Sequence, residues 1–172
     1  ETRQAEEIPS VKGMIGKKVV QSITGDGKGN LYFVVVGTGV LQYEPVNDFW
    51  ACYNQEQGQL LTNESYKVCV TPMGRLLITS IRGITLLDIK KGKSTHTLLG
   101  ISSPLHRLNS NCGVYFSPKD STIFIGGVEG LISTKESSLS AASVPYTISF
   151  NSLFIDNTRI KPSSGSSILK EG

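Results

Sequence analysis

The chain has 172 residues, a formal net charge of +3, 38% hydrophobic residues, 18 glycines and three cysteines. This is one domain of ordinary size or part of a larger one, and the turn-rich globular composition excludes a disordered or fibrous chain. The charge is too small for a nucleic-acid footprint, and no apolar run is long enough to span a bilayer.

In chain order, the first strand is expected over residues 19–24. The stretch GDGKGN at residues 25–30 then resembles a glycine-rich phosphate cradle. A cradle of that kind needs a helix N-terminus aimed at the anion. The residues that follow, Leu31, Tyr32, Phe33, Val34, Val35 and Val36, are β-branched and aromatic. They form a strand, so GDGKGN is a tight turn between strands. The small-residue turn Gly37-Thr38-Gly39 leads to a third strand, and residues 49–53 make a fourth. The same order returns with a strand over 66–71, the turn Pro72-Met73-Gly74-Arg75, a second strand, a third from Gly83 and a fourth over 94–99. Gly92-Lys93-Ser94 resembles the end of a phosphate-binding loop, but the position where that motif requires a further glycine is Leu87. Lys90, Lys91 and Lys93 therefore mark a solvated turn. A third copy has strands at 114–117, from Ser121 and from Gly130. A polar, small-residue segment follows, and then Ile148, Phe150, Leu153 and Ile155 suggest two short strands with a hairpin turn at Asp156-Asn157.

Cys52, Cys69 and Cys112 are far apart with no CxxC pair, which excludes a zinc or redox framework. Cys69, in an apolar run, is expected to act as a small buried hydrophobe. His96 and His106 are the only histidines, too few for a histidine-based metal site. No metal, cofactor or catalytic residue is expected.

The copies are in register. Gly29 and Gly74 are 45 residues apart, and Ser121 takes the glycine slot 47 residues later. Gly39, Gly83 and Gly130 form a second series, spaced by 44 and 47. Four short antiparallel strands at such a period are the pattern of β-propeller blades. The second strands are apolar on both faces, as a sheet covered on both sides requires. The expected fold is all-β: a partial β-propeller of about three four-stranded blades, followed by the first strands of an immunoglobulin-like β-sandwich. The expected boundaries are 1–16 for the end of a preceding blade or a linker, 17–62, 63–102 and 103–133 for the blades, 134–144 for a linker and 145–172 for the start of the immunoglobulin-like domain. The third blade lacks an obvious outer strand. The chain begins at Glu1 without methionine and reads as a mature or excised piece.

The repeats resemble those of extracytoplasmic two-component sensor propellers, whose pattern is roughly D-x-x-G-x-L-W-I-G-T-x-x-G-L-x-x-Y-D. The run from Asp26 follows it with Tyr32 at the tryptophan and the Gly37-Thr38 pair displaced; the run from Gly74 to Asp88 follows it with Ser80 in a small-residue slot. Ile123-Phe-Ile-Gly-Gly-Val-Glu-Gly-Leu-Ile132 resembles the F-G-G-x-N-G-L element that ends the last blade, with Glu129 in place of asparagine. The segment from Pro145 resembles the opening of the immunoglobulin-like domain that follows. The resemblance implies the periplasmic ectodomain of a hybrid two-component histidine kinase of Bacteroidetes-type bacteria, sensing oligosaccharides or another small extracytoplasmic ligand. It implies no catalysis in this segment and no nucleic-acid partner. Bare blade sides would call for the missing blades or for self-association as a homodimer. The alternatives are a fragment of a propeller-type enzyme, a lactonase or lyase, and a protein-interaction propeller.

In a propeller, the loops entering the innermost strand share one face with the turns between second and third strands. On that face the ligand is expected at Arg82, His106, Arg107, Asn109 and Asn111, with Asn63, Glu64 and Glu129 nearby. Planar polar groups and a ring suit a sugar. The opposite face, including the GDGKGN turn, is expected to tolerate substitution.

Overall fold

The computed structural model describes residues 9–98, 112–128, 130–139 and 153–160. The first sheet contains β1 (Val20–Gly25), β2 (Leu31–Val35), β3 (Gly39–Glu44) and β4 (Phe49–Tyr53), paired antiparallel in chain order. The second contains β5 (Ser65–Val70), β6 (Arg75–Ser80), β7 (Gly83–Asp88) and β8 (Lys93–Leu98) in the same order. The third contains β9 (Val114–Ser117), β10 (Thr122–Gly127) and β11 (Gly130–Lys135), with no fourth strand among the described residues. These are three successive blades of a partial β-propeller.

Packing follows from the strand period of two. Tyr32 and Val34 on one face of β2 join Val68, Leu76, Ile78 and Leu87 in a cluster between the first two sheets. Leu77, Ile84 and Leu86 point from the second sheet into a cluster with Ile123 and Ile125 of the third. Residues 32–35 and 76–80 are buried without a break, so β2 and β6 are covered on both faces. Each fully buried aliphatic side chain contributes about 1.5–3 kcal/mol, so these interfaces join the sheets. Val36, expected to continue β2, lies past its end and is exposed. Cys69 packs against the second cluster but remains half-buried; burial, then the charge of Glu136, pushes its thiol up to about 12.

The innermost strands lie side by side. Ser22 Oγ accepts the Val68 N–H of the neighbouring blade at 3.4 Å. Both β1 and β5 carry a register shift at matching positions, between Val20 and Ser22 and between Ser65 and Lys67. A bulge increases local twist, and its repetition belongs to the blade pattern.

Two elements stand outside the expected strands. Residues 9–15 form a helix, α1 (Pro9–Ile15), whose Ile15 packs on Phe33, Val35, Leu41 and Tyr43 on the outer face of the first blade. The same face holds Trp50, stacked on Tyr43 at 4.5 Å and tilted to Phe33 at 6.0 Å between ring centroids. The polar segment read as a linker from residue 134 begins inside β11 and continues as a short 3₁₀ helix, Glu136–Leu139. Its Glu136 and Leu139 are buried, which anchors that stretch to the blades. The chain divides into compact units of residues 1–141 and 142–172. The described part of the second is a hairpin, β12 (Leu153–Ile155) and β13 (Thr158–Ile160), turning at Asp156 and Asn157, both with positive φ.

Candidate functional site: the turn face of the blades

Strand alternation places the turns between second and third strands at the same end as the connection from β4 to β5. Lys18, just before β1, is also there, donating to Thr38 Oγ1 at 2.7 Å. The β4–β5 connection is organised by its amide side chains. Asn63 Oδ1 accepts the Gln55 N–H at 2.8 Å, and Asn63 Nδ2 donates to both Glu56 carboxylate oxygens at 2.8 and 3.0 Å. That bond to Asn63 holds the Glu56 carboxyl below its ordinary value. Asn54 Oδ1 caps the Gln57 N–H at 2.8 Å. Leu60 is buried, and Ser94 Oγ donates to the Gln59 carbonyl at 2.6 Å, tying the loop to β8. The loop thus presents a fixed polar surface beside the turn that carries Arg82.

The second landmark glycines explain how the loop fits. A Cβ at Gly39 would stand 2.3 Å from the Tyr53 carbonyl oxygen and 3.2 Å from Leu60 Cδ1. At Gly83 it would stand 2.2 Å from the Thr97 oxygen and 3.2 Å from Leu61 Cδ1. Hydrogen at these positions lets the third strand start beneath the fourth and lets the loop leucines close over both blades.

Of the expected ligand residues, Arg82 is exposed in the β6–β7 turn, with no ion pair among the described residues. His106, Arg107, Asn109, Asn111 and Glu129 lie outside the described residues. Sequence reasoning missed an apolar component of the face. Val36, Ile81 and Val128 occupy matching turn positions in the three blades and are 41%, 56% and 58% exposed. The signal was present, because each closely precedes the landmark glycine of its unit. Together with Arg82 they give an arc of three exposed aliphatic side chains and one cation at the turn ends of the blades.

At the other end, the GDGKGN stretch closes on itself. Asp26 Oδ1 accepts the N–H groups of Lys28 at 2.8 Å and Asn30 at 3.1 Å, and Asp26 Oδ2 accepts Asn30 Nδ2 at 2.6 Å. Burial pushes this carboxyl up, but the bonds from the Asn30 side chain and the two amides prevail and hold it below its ordinary value. Amides that a phosphate cradle would offer to an anion are thus occupied by the turn's own carboxylate, and Gly27 and Gly29 supply positive φ. Among the described residues, no three histidine, cysteine or carboxylate side chains are grouped so as to hold a metal ion, and no helix is long and apolar enough to cross a membrane.

No protein-family model and no curated protein matches the chain. Among solved structures, it is similar to the extracellular domain assigned to the hybrid two-component system BT4673 of B. thetaiotaomicron, with TM-score 0.56 and 16% identity over 69% of this chain and 16% of that one. A second BT4673 extracellular domain, described as that of a one-component system, gives TM-score 0.54 and 18% identity over 70% and 16% of the two chains. The extracellular domain assigned to the hybrid two-component system BT3049 of the same organism gives 0.53 and 22% over 81% and 19%. The chain spans less than a fifth of each of these domains. They are ectodomains of the kind the repeats resemble, and the chain shares their fold over 69–81% of its length.

Proposed function

We propose that this chain is a ligand-sensing, non-catalytic segment of a periplasmic ectodomain that passes its signal to a cytoplasmic histidine kinase. In this reading the blades of residues 17–133 belong to a larger propeller, and residues 145–172 open an immunoglobulin-like domain. The missing blades, or a second copy, cover the bare blade sides. The ligand is an oligosaccharide taken on the turn face by Arg82, His106, Arg107, Asn109 and Asn111. The observation that carries the reading is the arc of Val36, Ile81 and Val128 beside exposed Arg82 and the ordered loop, on a fold shared with extracellular sensor domains.

The test is calorimetric titration of the complete ectodomain against a glycan panel, followed by Arg82→Ala and Arg107→Ala. A hydrogen bond from a charged donor contributes about 1.5–3 kcal/mol, so loss of either arginine should weaken binding about tenfold or more. Unchanged affinity in both variants would remove this face from consideration.

A further inference from the structure

A groove of about 450 Å³ runs between the first and second blades at the end opposite the turn face. Its walls come from three turns, β1–β2, β5–β6 and β7–β8, and its floor includes Tyr32 and Gln42. Its polar lining includes Asp26, Lys28, Asn30 and Lys90. The volume is that of a site for one small molecule.

The repeat supplies an internal comparison. In the corresponding groove between the second and third blades, the first residue after the third strand is Glu136. Its Oε1 is held by Arg75 Nε at 2.6 Å, by the Arg75 terminal guanidinium nitrogen at 2.6 Å and by Thr71 Oγ1 at 3.0 Å. There a carboxylate of the chain itself meets the donors. In the groove between the first and second blades, the residue following β7 is Ile89, which packs into the apolar cluster, and Lys90 comes next. No carboxylate enters from that side. The acid already present, Asp26, spends its oxygens on the N–H groups of its own turn.

The remaining polar groups are mainly donors. Gln42 Oε1 accepts the Tyr53 hydroxyl at 2.7 Å, so the amide contributes its N–H groups. The Tyr32 phenol is pushed up to about 12 by burial, then by the Asp26 charge and by Tyr53, and stays a neutral hydroxyl. Lys28 and Lys90 are exposed, and neither forms an ion pair with a described carboxylate, whereas Lys91 is paired with Asp88 at 3.6 Å. The lining thus holds two lysines, of which Lys28 also acts on the Asp26 charge, and two neutral donors, against one carboxylate whose oxygens are taken by its own turn.

We infer that this groove is a second binding site, specific for a small carboxylate-bearing molecule, whose anion takes between Lys28 and Lys90 the role that Glu136 plays in the next groove. The site is independent of any ligand on the turn face. It is tested by calorimetric or NMR titration of the protein with glucuronate, with glucose as the uncharged ring and with succinate as a carboxylate without a ring. Glucuronate should bind saturably, at least tenfold tighter than glucose and more weakly as salt is added. Lys28→Gln and Lys90→Gln should each weaken it several-fold. Succinate binding as well as glucuronate supports a general carboxylate site, and weaker succinate binding supports an acidic sugar. Equal binding of glucose and glucuronate, insensitivity to both lysine variants, or no saturable binding of any of the three overturns the inference.

Discussion

Replacing Gly39, Gly83 and Gly130 one at a time by alanine places the same substitution at the same blade position under different surroundings. At Gly39 and Gly83 the new methyl would stand 2.3 and 2.2 Å from the Tyr53 and Thr97 carbonyl oxygens, whereas Cβ contacts do not occur below 3.0 Å. The fourth strand must therefore retreat by at least about 0.7 Å, which disturbs the pairing of Val40 with Tyr53 and of Ile84 with Thr97. Overpacking of this kind costs about 1–3 kcal/mol. Alanine at φ 113° or 149° adds a further backbone strain of about 1–3 kcal/mol. Gly130 has φ 138° but nothing within 4 Å of its Cβ position, so only the strain remains. At about 2–4 °C per kcal/mol for a protein of this size, the combined cost of about 2–6 kcal/mol should lower Tm by roughly 4–24 °C for Gly39→Ala and Gly83→Ala, and strain alone by about half as much for Gly130→Ala. Thermal unfolding followed by far-UV circular dichroism reads all three. Equal losses, or the largest loss at Gly130, would refute the assignment of these glycines to close approach of the fourth strand.

Ser121 holds the glycine slot of the third β-turn with φ 54°, so Ser121→Gly should stabilise by about 0.5–1 kcal/mol, read as a rise in the urea midpoint. Glu136→Gln weakens the contacts with Arg75 and Thr71 and should destabilise by about 1–3 kcal/mol in the same assay. Burial lowers the pKa of His96, against an opposing bond to the Gly58 backbone, so the folded state binds its proton less readily than the unfolded chain. Its contribution is complete above the unfolded value of about 6.5 and declines as pH falls from there toward the folded value. The wild type should therefore lose more stability than His96→Gln between near-neutral and mildly acidic urea titrations; parallel losses would show that His96 does not contribute.

The strands were legible because residues 31–35 and 76–80 are short, mostly apolar runs bounded by turn residues, buried on both faces, and the turns because glycine recurs at most positions where φ is positive. The choice between a phosphate cradle and a turn at GDGKGN could also be made from sequence, since Leu31 and its neighbours cannot open a helix on the loop. The helix at Pro9–Ile15 carries no comparable signal: seven residues with an internal glycine are helical because Ile15 packs on the outer face of the first blade. Glu136 reads as one polar residue among many, and only the fold brings it to Arg75, sixty-one positions away. The aliphatic arc was recoverable by comparing the residues ahead of each landmark glycine. The groove between the first two blades was not, because its walls come from three turns distant in the chain.

Trp50 is the chain's single tryptophan. It lies between Phe33 and Tyr43 on the outer face of the first blade, and its indole N–H is buried without a partner among the described residues. The intrinsic fluorescence of the protein is therefore a local signal from one blade side. An emission shift on adding a neighbouring blade, unaccompanied by a change in circular dichroism, would report docking there and not folding. Quenching by a water-soluble agent would likewise measure how far that side stands open.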